Sequence, residues 1–88
     1  MTEMVRCWLV EREHDQRNLV TVTYATPDGH RALRRQGSPE TLQRRGGVTA
    51  AIEANPDDLE SVEDDETRQR YATEVDRMRE RHDPDDTV

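Results

Sequence analysis

Two runs near the start of the chain carry the pattern of β-strands. Val5-Arg6-Cys7-Trp8-Leu9-Val10 is apolar at every position but one, and Leu19 to Thr26 is rich in β-branched residues, with Val20, Val22 and Tyr24 sharing one face. Glu13 to Asn18, between them, is uninterruptedly polar, which predicts a hairpin loop and an antiparallel pair. Thr26-Pro27-Asp28-Gly29 predicts a tight turn, because proline presets the first central dihedral and glycine accepts the unusual geometry that follows. A third strand, His30 to Gln36, is then set to pair back, although only Ala32 and Leu33 in it are apolar.

Ser38-Pro39-Glu40 supplies an N-cap, a first-turn proline and an acid at the positive helix end, so Pro39 to Arg45 reads as a short helix closed by Gly46. Val48 to Ala54 places Val48, Ala50, Ile52 and Ala54 on one side and reads as a fourth strand, although its alanines also fit a helix. Asn55-Pro56-Asp57-Asp58 repeats the capping logic and predicts one or two helical turns ending near Val62. The clearest helix runs from Glu66 to His82. It holds neither Gly nor Pro, Tyr71, Val75, Met78 and His82 form a stripe, and acids stand at its start with Arg79, Arg81 and His82 at its end. Pro84 stops it, and residues 83–88 are expected to be a disordered acidic tail. The elements assemble into one α+β domain over residues 1–82, an antiparallel sheet of three to four strands with the C-terminal helix packed on one face.

Composition bears on how such a domain holds together. The 88 residues include only 14 Leu, Ile, Val and Phe, about 16%, and the formal net charge is -7, values that fall in the range of disordered chains. Surface scaling for this mass gives a folded area of roughly 5,400 Å², so the core is lean. No stretch approaches the ~18 apolar residues of a membrane span, and no basic segment followed by an apolar run opens the chain, which points to the cytoplasm rather than to secretion or a membrane.

All 13 basic residues are arginine, against 20 acids. This lysine-free, acidic, low-aliphatic composition resembles that of proteins from salt-loving archaea. Val5 to Arg12, Tyr24 to Gly29, and Arg70 to Glu74 through Asp83 to Asp86 are similar to small proteins of haloarchaeal type that carry no assigned activity. The resemblance implies a saline cytoplasm. There a Debye length of about 3 Å at 1 M screens the self-repulsion and salting-out strengthens burial, so a sparse core suffices.

Motifs for chemistry are scarce. The single cysteine, Cys7, lies in an apolar strand and reads as a small buried hydrophobe. His14, His30 and His82 have neither the mutual spacing nor the cysteine partners of a metal site. The acidic runs 57–58, 63–66 and 83–86 lack the spaced ligands and turning glycine of a calcium loop, and read as solvated surface. Gly46-Gly47 follows no phosphate-loop pattern. The expectation is therefore a non-enzyme without metal or cofactor.

Charge is distributed unevenly. Residues 1–52 hold 8 Arg and 6 acids, residues 53–88 hold 5 Arg and 14 acids, and Arg31, Arg34, Arg35, Arg44 and Arg45 stand against Glu40 alone between 31 and 45. These arginines could contact phosphates, receive an acidic protein, pair internally with the acidic half, or border an edge strand. Trp8 is a second candidate. If Cys7 and Leu9 face the helix, Trp8 faces outward as an interface anchor, unless the 37–47 segment covers it through Leu42. The function expected is a small protein-interaction or self-associating module, a homodimer included, adapted to high salt; the alternative is nucleic-acid binding through the arginine segment.

Overall fold

The computed structural model describes residues 3–44 and 46–88. The elements follow in the order β1 (Val5–His14), β2 (Val20–Ala25), β3 (Arg31–Gly37), α1 (Pro39–Arg44), β4 (Ala51–Ala54), a 3-10 turn (Pro56–Asp58), β5 (Glu60–Ser61) and α2 (Asp65–Arg81). The strands make one antiparallel sheet in the order β4-β1-β2-β3-β5, and α2 packs on one face of it. The α+β class and the C-terminal covering helix match the sequence expectation, with one more strand than expected.

The differences have local causes. β1 runs on to His14, taking in Glu13 and His14 of the expected loop, because Glu11 to His14 take their backbone partners from β2 without needing to bury side chains. A bulge at Val10 intervenes in this ladder. The hairpin closes at Asp15, whose carboxylate accepts from the amides of Arg17 and Leu19 at 2.9 and 3.0 Å, with Asn18 at φ 63°. The helical turn expected from Asn55 to Val62 is a single 3-10 turn capped by the Asn55 side chain, after which the chain extends as β5 beside β3. Asp64 caps α2 by accepting from the Thr67 amide at 3.0 Å.

Each sheet face carries a buried cluster. Tyr71 and Val75 of α2 pack on Trp8, Ala25, Ala50 and Ala51; the other face buries Cys7, Leu9, Val22, Tyr24 and Ala54, with Val48, Leu59 and Val88 packed on it. The expected orientation of Trp8 is thereby reversed. Its indole is 6% exposed and sits under the helix, while Cys7 and Leu9 face away from it. The residues directly opposite Trp8 on both neighbouring strands are alanines, Ala25 and Ala51, and this small-large-small row makes room for the ring beneath Tyr71 and Val75. Alternation along one strand fixes two faces, but only the cross-strand partners decide which of them a helix can cover.

Residues 83–88, expected to be disordered, are tied to the segment before β4. The amides of Ala50 and Ala51 donate to the carbonyls of Asp86 and Pro84, and the Val88 amide donates to that of Val48. The total accessible surface is 6247 Å², above the scaling value of roughly 5,400 Å².

Candidate functional site

Ladder register decides where the arginine segment points. In β3, Ala32, Arg34 and Gln36 lie on the α2 side of the sheet, and Arg31, Leu33 and Arg35 lie on the other. Arg44 stands in the last turn of α1, and Arg45 lies outside the described residues. The segment is thus split across two faces and a helix. Arg31, Arg34, Arg35 and Arg44 are all exposed, and among the described residues none of the four is in an ion pair. The pairing with the acidic half considered from sequence is absent for these four among the described residues. The pairs that do form are Arg6–Glu53 at 2.8 Å, Arg77–Glu74, Arg68–Asp65 and His82–Asp86.

α2 covers only part of its side of the sheet. Beyond it the rows Glu11–Thr23–Arg34 and Glu13–Thr21–Gln36 run across β1, β2 and β3 and floor a polar hollow of about 350 Å³. Gln36 Nε2 donates to Thr21 Oγ1 at 3.3 Å across it. A second hollow of about 240 Å³ lies between β3, β5 and the start of α2, and Thr23 and Arg34 line both. On the opposite face Arg12 and Arg35 flank Val22 across the strands, and Arg12 Nη2 donates to the Val88 carbonyl at 2.6 Å. The polar floor was not identified from sequence. Thr21, Thr23 and Gln36 become a set only once register aligns them with Glu11 and Glu13.

The displaced proton affinities have structural explanations. Asp28 closes the turn after β2 by accepting from Thr26 Oγ1 at 2.6 Å and the His30 amide at 2.9 Å, which holds its carboxyl below the ordinary carboxylate value. The hydroxyl and amide of Thr67 do the same for Asp64. Burial pushes the Cys7 thiol up against the pull of Arg31, and burial pushes the Tyr24 hydroxyl up against Arg35 and Arg12. Tyr24 donates to the Thr49 carbonyl at 3.4 Å. None of these four groups lies among the residues flooring the larger hollow.

Among the described residues no three His, Cys, Asp or Glu side chains converge as a metal site, and no helix is long and apolar enough to cross a membrane. The arrangement defines a small α+β domain with a five-stranded antiparallel sheet, a covering C-terminal helix and a bare, arginine-bearing side at β3. The chain belongs to a family of unknown function (DUF7967), which matches residues 1–88. No curated protein and no solved structure matches it.

Proposed function

We propose that this protein is a small non-catalytic protein-interaction module, working in a saline cytoplasm, that engages its partner through the arginine-bearing side of β3. One observation carries the reading: in a chain with 20 acids, Arg31, Arg34 and Arg35 stay exposed and outside every ion pair formed among the described residues. Exposed guanidinium groups that no internal carboxylate engages are available to one from outside. Trp8 has no part in this surface, since α2 covers it.

A second reading, nucleic-acid binding, draws on the face opposite α2, where the strand residues Arg12, Arg31 and Arg35 stand without a strand carboxylate beside them. Glu11 and Glu13 share the other hollow with Arg34 and repel a phosphate chain there. Co-purification from native lysate in molar KCl, read for protein and nucleic acid together, separates the two. The interaction reading expects a protein partner whose recovery falls at least tenfold for Arg34→Ala/Arg35→Ala. Recovery of neither class, with a monomeric mass in solution, overturns both readings. Circular dichroism against KCl concentration tests the saline part, and equal folded content at low and molar salt would remove it.

A further inference from the structure

We propose that the outer edge of β3 is a docking strip for an extended acidic segment of a partner protein, which joins the sheet as a strand in line with β5. The inference rests on the interaction reading and supplies its partner class. The backbone phase is fixed by the first bond of the hairpin. Thr26 N donates to Arg31 O at 3.0 Å, so Arg31, Leu33, Arg35 and Gly37 direct their backbone groups at β2, and Ala32, Arg34 and Gln36 direct theirs away from it. β5 takes up the outward groups at one end only: it pairs with Ala32, and the Val62 amide just beyond donates to His30 O at 2.8 Å. Among the described residues no backbone bond reaches the outward N–H and C=O of Arg34 and Gln36.

Side-chain charge selects the occupant. A strand laid along this edge sets alternate residues beside Arg34 and Gln36 on the α2 side, and the intervening ones beside Arg35 on the other. On the side opposite α2 a carboxylate meets Arg35 with no strand carboxylate beside it, whereas on the α2 side it meets Arg34 with Glu60 and Glu11 nearby, so the positions beside Arg35 carry the acidic preference. A second copy fits poorly, because the two-fold register that pairs both outward residues, Arg34 with the twin's Gln36, sets Arg35 opposite Arg35. The alternation of backbone donors and acceptors matches a peptide main chain, not a sugar-phosphate one.

The test uses the full chain with two synthetic octapeptides, alternating Glu-Thr and alternating Lys-Thr, and reads amide hydrogen exchange by NMR. The Glu peptide should slow exchange at the Arg34 and Gln36 amides at least tenfold, and the Lys peptide should not. Gln36→Pro removes the outward donor at an edge position where proline is tolerated, and should abolish the protection. Arg34→Glu/Arg35→Glu makes no demand on the backbone and should invert the preference toward the Lys peptide, with an unchanged circular dichroism spectrum confirming the fold. Protection elsewhere, binding that survives Gln36→Pro in a folded protein, or no binding of the Glu peptide overturns strand addition. Recovery of a partner in native co-purification that depends on Arg34 and Arg35 would leave the interaction reading standing in those cases.

Discussion

At the β4 edge the chain covers the end near Ala51: residues 84–88 supply backbone partners to Val48, Ala50 and Ala51, while Glu53 further along is engaged by Arg6 through its side chain. At the β3 edge, β5 pairs with two residues and stops, leaving Arg34 and Gln36 bare. The difference follows side-chain chemistry. Ala50, Ala51 and Ala54 are small and buried, and an uncovered edge of that kind invites pairing with any other strand. Arginines on an edge repel like strands and admit only a complementary one, so the β3 edge can remain open without promoting aggregation.

The largest expected effect tests whether the β1–β4 side is the structural one. Trp8→Ala should cost about 3–5 kcal/mol, a large share of what an 88-residue domain possesses, and chemical denaturation should show a transition shifted toward zero denaturant. Gly29→Ala attacks the link between the β2–β3 hairpin and α2. Gly29 sits at φ +76° and an added Cβ falls 2.1 Å from the Arg68 carbonyl, so the helix must move and a loss of about 3 kcal/mol is expected by thermal melting. Removing residues 84–88 strips the β4 edge of three backbone bonds, each worth about 0.5–1.5 kcal/mol, and should expose the Ala50 and Ala51 amides to rapid hydrogen exchange while the β2–β3 ladder stays protected.

Smaller effects come from pH. Asp28 and Asp64 titrate below their ordinary value of 3.8, so their contribution is present above that value and is lost as pH falls through the lower folded values. Cys7 and Tyr24 titrate above 9.0 and 10.0, so the unfolded chain loses these protons first and stability falls as pH rises past about 9. A flat plateau from acid to alkaline pH in denaturant midpoints would contradict both assignments. The smallest effect belongs to Arg34→Ala/Arg35→Ala, expected to stay within about 0.5 kcal/mol of wild type because neither side chain is in an ion pair among the described residues. A larger loss would erase the contrast between the edges.

Sequence alone determined the elements whose cause is local. The apolar run at Val5, the β-branched run at Val20, the Pro27-Asp28-Gly29 turn, the Ser38 cap and the stripe of Tyr71, Val75 and Met78 each act within a few residues, and the structure forms a strand, turn or helix at each. The exposure of the arginines was equally legible from their charge, although Ala32 and Leu33 stand among them. Tertiary structure decided whatever depends on a distant partner. Trp8 lies beneath α2 because alanines on two other strands leave it space, and two residues at Glu60 become a strand only because β3 offers an edge. The acidic tail lies along residues 48–51 through backbone hydrogen bonds, and among the described residues Arg34 and Gln36 lack outward backbone partners because β5 ends where it does. Period and capping are properties of neighbours along the chain, whereas register and coverage are settled between segments tens of residues apart.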